Sequence, residues 1–308
     1  MQVEEAAGEA VLAAGCKVNL FLRITGRRED GYHTLESLFW PLASPCDTLT
    51  VTRRSGTGLR FSCDDQALET SGNIVIKAYG AFARETGFSP GLDVFLQKNI
   101  PYGAGLGGGS PDAAALLLHL NTMARAEGKS LAIAELGMLG ARLGADVPFF
   151  LHNTPSMVRG IGEIIEPLPF SGDGAPFLAG SNIPAGTDHR LAGLHLVLVC
   201  PRVHVATAWA FGAWDEKYPS GSLTNGEGED SSPLVRGVRV HNDLCEVVFQ
   251  RHPALRQHLA LLETFNPLAA SMSGSGASLF GLFDIKEQAG NAVRRFRESG
   301  ERVFHHTL

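Results

Sequence analysis

The sequence predicts an α+β protein in two parts, and three observations carry that prediction. Segments of strand character alternate with segments of helical period along all 308 residues. A dense run of glycines joins a strand to a helix around residue 105. After Pro167 the chain turns rich in Gly, Pro and Ala, which divides it into 1–166 and 167–308. With 44% hydrophobic residues, a chain of this length builds two domains more readily than one.

Residues 17–25 form a strand with one apolar row, Val18, Leu20, Leu22 and Ile24, and a second row of Lys17, Asn19, Phe21 and Arg23. A second strand, 47–52, follows the GRREDGYH loop and the segment LESLFWPL. Residues 73–86 read as a helix, with Ile74, Ala78 and Phe82 four apart. A strand over 92–96, the glycine loop and a helix from 111 to about 126 come next. A further helix, Leu131 to Leu143, is expected to end at Gly144 as its C-cap. A strand near 156–158 precedes RGIGEIIEPLP. Residues 170–192 read as irregular, LHLVLVC (194–200) as a buried strand, 205–214 as a helix and 217–232 as a mobile surface loop. Helices near 242–251 and 253–264 lead to SMSGSGASLFGLF, a glycine turn feeding a strand; a helix over 286–299 and a short strand follow. There are no internal repeats.

From Pro101 the chain reads PYGAGLGGGSPDAAALLLHLN. Glycine costs roughly 0.5–1 kcal/mol in regular structure, so this density belongs where backbone turns sharply or approaches something closely. Ser110 is the expected N-cap, with Pro111 at the first helical position and Asp112 in the first turn. The first-turn N–H groups, with the loop amides, would form an anion site. A plain turn between strand and helix is the other reading. No Lys-Ser or Lys-Thr follows the last glycine, so this is not a Walker A loop. GxGxxG is matched by 103–108, but no second strand ends in an acidic residue about 20 positions on, as a dinucleotide fold requires. The lysine strand, HRD and DFG of protein kinases are absent.

Composition narrows the partners. A net charge of −6 with mixed signs gives no basic stripe for nucleic acid and no polybasic membrane anchor. The five cysteines are far apart and odd in number, which fits a reduced cytoplasmic protein. The acidic opening MQVEEAAGEAVLAAG lacks the basic start of a signal or transit peptide, and no apolar run approaches membrane-spanning length. No metal site is expected: zinc-like spacing is absent, and His305-His306 reads as tail.

The pattern Pro-x-Gly-x-Gly-Leu-Gly-x-x-Ser, opening a small-residue helix, resembles the phosphate loop of the galactokinase, homoserine, mevalonate and phosphomevalonate (GHMP) kinase superfamily. The lysine strand near the N-terminus and MSGSGAS near the C-terminus occupy the places of that superfamily's other motifs. CKVNLFLRITGRREDGYHTLESLF, GADVPFF and RGIGEIIEPL resemble the branch whose acceptor is a cytidine diphosphate-linked methylerythritol. The resemblance implies a two-domain GHMP kinase fold. Its N-terminal domain is like domain 2 of ribosomal protein S5, and its C-terminal domain is ferredoxin-like. It further implies ATP and Mg²⁺, phosphorylation of the substrate's 2-hydroxyl in the non-mevalonate isoprenoid route, and a monomer or weak homodimer. A relative with another acceptor alcohol is the alternative. S5-like domains also occur as RNA binders, which the acidic charge disfavours.

The residues allow the following roles. Lys17 and Asn19, two apart on one strand face, project into the same space, though a solvated strand face fits that spacing equally. The resemblance places the family's catalytic lysine and its asparagine on them. Asp146 stands in apolar company, where a carboxylate is usually partnered or working, and a helix-capping Asp is its bland reading. By resemblance it is the catalytic base, kept ionised by Lys17. Tyr32 and His33 alone could be surface; by resemblance they bind the cytosine, with Phe211 on the other face of the base and Thr207 nearby. Asn73, Lys98 and the loop residues Pro101, Gly103, Ala104, Gly105, Leu106, Gly107, Gly108, Gly109 and Ser110 fall where the family holds nucleotide. For Asn73 and Lys98, plain surface polar residues fit as well. The family's second loop serine is Pro111 here, so one hydroxyl contact to metal or phosphate is lost. Gly15-Cys16 replaces the usual proline-alanine, which is expected to loosen the entry of the lysine strand.

Overall fold

The computed structural model describes residues 3–6, 8–168, 191–219 and 232–308. The stretches read as irregular (170–192) and as a loop (217–232) lie, apart from 191–192, 217–219 and 232, outside the described residues. In chain order the elements are β1 (Val3–Ala6), β2 (Glu9–Arg27), β3 (His33–Thr57), β4 (Leu59–Cys63), α1 (Ile74–Thr86), β5 (Pro90–Gln97), α2 (Ser110–Ala124), α3 (Ile133–Ala141) and α4 (Val147–His152). Then come β6 (Ser156–Arg159), β7 (Ile164–Pro167), β8 (His195–Cys200), α5 (Thr207–Lys217), β9 (Leu234–Val235), β10 (Val238–Arg239) and β11 (His241–Asn242). The chain finishes with α6 (Cys245–Arg251), α7 (Pro253–Glu263), β12 (Ala269–Met272), β13 (Leu279–Phe283), α8 (Lys286–Glu298) and β14 (Arg302–Thr307).

These elements make two compact units that interleave along the chain, where the sequence draws a single line at 166/167. The first takes Met1–Cys16, Pro41–Pro101 and Gly107–Thr154; the second takes Lys17–Trp40, Tyr102–Leu106 and Pro155–Leu308. The two longest strands, β2 and β3, contribute to both.

In the first unit the strands run in the order β1-β2-β3-β5-β4. Leu49 and Val51 of β3 face Leu96 and Val94 of β5 across an antiparallel register, and all four are buried. Helix α1 packs on α2, and α4 packs on both α2 and α3. The N-terminus of α1 is set by the side chain of Asn73 and its C-terminus by Gly87 in the left-handed region, φ +67°. The row of small residues in α2, Ala113, Ala114 and Ala115, is wholly buried, so this helix is covered on more than one face.

Local structure departs from the sequence reading at several ends. Strand β3 runs through LESLFWPL, because Leu38, Phe39, Trp40 and Leu42 are all buried and so show no alternation. The N-cap of α2 is Gly109, not Ser110, which is the first helical residue and leaves Pro111 at the second. Helix α3 begins late because Leu131 is held outside it, its N–H bonded to Asn121 Oδ1 at 2.7 Å and its carbonyl to Asn121 Nδ2 at 3.0 Å. It ends at Ala141 with Arg142 at the C-cap, and Gly144 only donates back to Gly140 O. Nor is the lysine strand loose at its entry. Cys16 is buried, and a Cβ at Gly15 would stand 2.5 Å from the carbonyl oxygen of Leu42, so only glycine lets these backbones meet.

In the second unit, β11 lies parallel to β2 (His241↔Phe21), and the β6–β7 hairpin lies antiparallel to β3 (Leu38↔Met157). A separate antiparallel sheet has the order β12-β13-β8-β14. Every residue of β8 from Leu196 to Cys200 is buried, as the apolar run predicts. Helices α7 and α8 pack on this sheet through Leu262, Ala289, Ala292, Val293 and Phe296. A second cluster joins Leu22 and Ile24 to Ala210 and Trp214 of α5 and to Val247 and Val248 of α6. All five cysteines are free thiols.

Phe82 is fully buried in the first unit. Phe82→Ala should cost about 3–5 kcal/mol of stability, read as a lowered urea midpoint with an unchanged slope.

Candidate active site

Strand β2 sets the first pair. Lys17 and Asn19 are 4% and 2% exposed, so this face of the strand is not solvated. Lys17 Nζ donates to Asn19 Oδ1 at 2.5 Å and sits 4.3 Å from the centroid of the Phe39 ring. Asn19 Nδ2 donates to Ser37 Oγ at 2.9 Å, which in turn donates to Phe21 O. That chain fixes the amide so that its oxygen faces the lysine. The Asn19 N–H donates to Ser273 Oγ at 3.0 Å, and Ser273 Oγ donates on to Gly105 O at 2.8 Å.

The glycine loop is tied down by its carbonyls. Gly103 O accepts from the N–H groups of Val205 and Ala277, Ala104 O from Ser278, and Leu106 O from Lys17, all within 3.2 Å. Because a trans peptide points its N–H opposite to its C=O, the amides of Ala104, Gly105, Leu106 and Gly107 face away from these anchors. Gly105, at φ +70°, has no room for a side chain: a Cβ there would lie 1.9 Å from Ser273 O. The Ser-Gly turn is itself held by Asn242, whose Nδ2 donates to Met272 O and Gly274 O, both at 2.7 Å.

In the first unit, Gly107 and Gly108 have φ of +106° and +57°, and space is open beside Gly108. The first turn of α2 is not the donor set the sequence suggests. Ser110 N donates to Gly107 O and Asp112 N to Gly109 O, while Pro111 has no N–H. The loop amides of Gly107, Gly108 and Gly109, which find no partner among the described residues, are what an anion would meet.

Asn73 is no plain surface residue. Its Oδ1 accepts from Val75 N at 2.8 Å and its Nδ2 donates to Leu68 O at 3.0 Å, so both ends of the amide are engaged. Nor is Lys98. Its ammonium is buried between Asp47 Oδ2 and Asp112 Oδ2, the latter at 2.9 Å. Burial opposes that charge, but the facing carboxyls of Asp112 and Asp47 more than offset it and raise the Lys98 pKa. Asp146 precedes α4, half-buried, and its side chain makes no capping hydrogen bond, so the capping role does not hold.

In the second unit, His33 lies stacked on Phe211 with centroids 4.9 Å apart and meets Trp214 edge-on. His33 Nε2 is 2.6 Å from Asp215 Oδ1, and Arg27 stands 3.4 Å from the other oxygen of that carboxylate. Tyr32 is 61% exposed. Thr207 Oγ1 is 3.0 Å from Ser275 Oγ. Thr207, Phe211 and Asp215 are four apart on α5 and so share one stripe of it, while Ala210 and Trp214 are buried in the core.

Sequence reasoning missed Ser37, Asp47, Asp112, Asp215, Asn242 and Ser273 as supporting groups. Ser273, through the MSGSGAS segment, and Asp112, in the first turn after the glycine loop, carried a signal.

A family model for the GHMP kinases N terminal domain matches residues 73–154, and one for the GHMP kinases C terminal matches residues 229–302. The chain belongs to the GHMP kinases and is a small-molecule kinase of the two-domain α+β fold they share. It is similar to the 4-diphosphocytidyl-2-C-methyl-D-erythritol kinase of Nitratidesulfovibrio vulgaris (Hildenborough), 43% identical over 302 residues, covering 96% of this chain and 98% of that one. The enzyme of the same name from Solidesulfovibrio magneticus is 39% identical over 304 residues, covering 96% of each. A crystal structure of 4-(cytidine 5'-diphospho)-2C-methyl-D-erythritol kinase superposes with a TM-score of 0.71 at 29% identity, covering 96% of this chain and 97% of that chain. Homoserine kinase from Cytophaga hutchinsonii, at 18% identity and TM-score 0.64, covers 100% of this chain and 97% of its own and shares the fold.

Gly105→Ala should weaken ATP binding by at least roughly tenfold, about 1.4 kcal/mol, because the Ser273 carbonyl must move. Titration calorimetry reads this; unchanged affinity would mean the loop does not depend on that contact.

Proposed function

We propose that this chain transfers the γ-phosphoryl group of ATP to the 2-hydroxyl of 4-diphosphocytidyl-2-C-methyl-D-erythritol, on the non-mevalonate route to isoprenoid precursors. The observation that carries the reading is likeness over nearly the whole chain to kinases of that name, 43% identical in one case. We keep 1–166 as the ATP-binding domain and 167–308 as the C-terminal domain. The same reading makes the enzyme cytoplasmic and a monomer or weak homodimer. Among the described residues no helix is long and apolar enough to cross a membrane.

The chemistry follows from the residues. Asp146 takes the proton of the 2-hydroxyl as that oxygen bonds to the γ-phosphorus and the bond to the ADP oxygen breaks. Lys17, oriented by Asn19, supplies positive charge for the reacting groups. The loop 103–110 holds the triphosphate through the amides of 104–109, and the anchored carbonyls keep the first of them aimed. Asn73, Lys98 and Pro101 shape the approaches to that loop. Among the described residues no group of three or more His, Cys, Asp and Glu could hold a metal ion. Mg²⁺, taken up with the triphosphate, would offset phosphate charge.

The cytosine would lie between Tyr32 and Phe211, with Thr207 beside it. With Nε2 engaged by Asp215, His33 has Nδ1 for the edge of the base. Most recognition then comes from the cytidine, because the acceptor alcohol is small.

Asp146→Asn should lower kcat by roughly 10²–10⁴ with little change in substrate binding. Wild-type turnover in the folded variant rejects Asp146 as the base. Tyr32→Ala and Phe211→Ala should each raise KM by about 5- to 150-fold, matching ~1–3 kcal/mol of stacking. Removing the cytidine diphosphate from the substrate should cost more kcat/KM than either change. Equal efficiency on bare methylerythritol would assign the chain to a kinase with another acceptor.

A further inference from the structure

Lys98 follows β5, Asp47 lies within β3, and Asp112 is in the first turn of α2; their side chains are all but fully buried in one cluster. The cluster reaches both ends of the glycine loop. At the entry, Asp47 Oδ1 accepts from the N–H groups of Asn99 and Ile100, at 2.5 and 2.8 Å. At the exit, Lys98 Nζ bonds Asp112 Oδ2 at 2.9 Å and approaches Gly108 O at 3.5 Å. Its third contact, to Asp47 Oδ2, closes the circuit.

We propose that Asp47, Lys98 and Asp112 form a charge-neutral clamp that fixes both ends of the glycine loop, so that Lys98 serves the nucleotide by positioning the loop rather than by touching it. Neutrality requires one proton among two carboxyls and one ammonium, and the geometry assigns that proton to Asp112. Asp47 accepts bonds from three N–H donors, two backbone and one ammonium. Asp112 Oδ1 is buried without a donor among the described residues, an expensive state for a carboxylate and a cheaper one for a carboxylic acid. The groups facing Asp112 are Lys98, Asp47 and, beside Asp47, the Cys46 thiol, which burial keeps protonated. Burial raises the Asp112 pKa well above the usual carboxylate range; the Lys98 charge opposes this and the Asp47 charge reinforces it.

The sign for stability follows. Between the unfolded and folded pKa values of Asp112 the native state holds a proton that the unfolded chain has released. Stability is therefore complete below the ordinary Asp range and declines as pH rises through the folded value. An asparagine at 112 keeps the neutral shape and removes that decline.

The test uses the full chain, ATP as the probe, calorimetric affinity, and Tm from pH 5 to 9. It borrows from the kinase reading only that ATP binds; a wild type that bound none would overturn that reading, and the Tm profiles would still judge the clamp. Asp112→Asn should keep ATP affinity within about threefold and show a flatter fall of Tm with pH than wild type. Asp47→Asn and Lys98→Met should each weaken ATP binding by roughly tenfold or more, about 1.4 kcal/mol, and lower Tm. If Lys98→Met does not fold, Asp112→Asn against Asp112→Leu decides the matter, with rescue expected only from Asn. Loss in Asp112→Asn equal to that in Asp47→Asn overturns the clamp. So does Lys98→Met losing ATP affinity while its Tm and pH profile stay those of wild type.

Discussion

Four successive peptide groups in the glycine loop are each held by their carbonyl, so each N–H points away from its own anchor. The donors holding them come from far along the chain: the Val205, Ala277 and Ser278 amides, the Ser273 hydroxyl and the Lys17 amide. A glycine loop left to itself is floppy, and its amides would average over many directions. Here orientation comes from anchoring the acceptors, which leaves the N–H groups without a partner among the described residues. Ser273 takes part in that anchoring while also meeting the Asn19 backbone, so the aim of the loop and the set of the lysine strand share one hydroxyl.

Much of this was legible in residue order. The apolar row of β2 displayed Lys17 and Asn19 on one face, and both prove to be buried and bonded to each other. The glycine run between strand and helix was visible as well. Most of the failures share a cause, a partner distant in sequence. Nothing near Asp47 announces that residues 99 and 100 will donate to it, and nothing near Asp215 announces His33. The first turn of α2 misled for a local reason: Gly107 and Gly109 fold back to take the N–H groups that a textual pattern leaves free.

Asn73 and Lys98 show how one residue type can be right and its use differ. Both were picked out by position, and both are polar groups. Burial changes what they can do. A capping amide engaged at both ends and an ammonium between two carboxyls act first on backbone geometry. Polar residues near a site divide in this way between those that touch and those that hold, and exposure separates the two better than residue type does.

Helix α5 carries Thr207, Phe211 and Asp215 as successive teeth of one edge, and its back is seated by Trp214 and Ala210. Rotation of the helix by a single residue would swing all three through about 100° together. The groups proposed to meet the far end of the substrate are thus cut on one key, and the shape of the lock behind it is apolar packing. On the proposed reading, drift in that packing, with no change to any polar residue, would retune which base is accepted, and the memory of specificity would reside partly in the core.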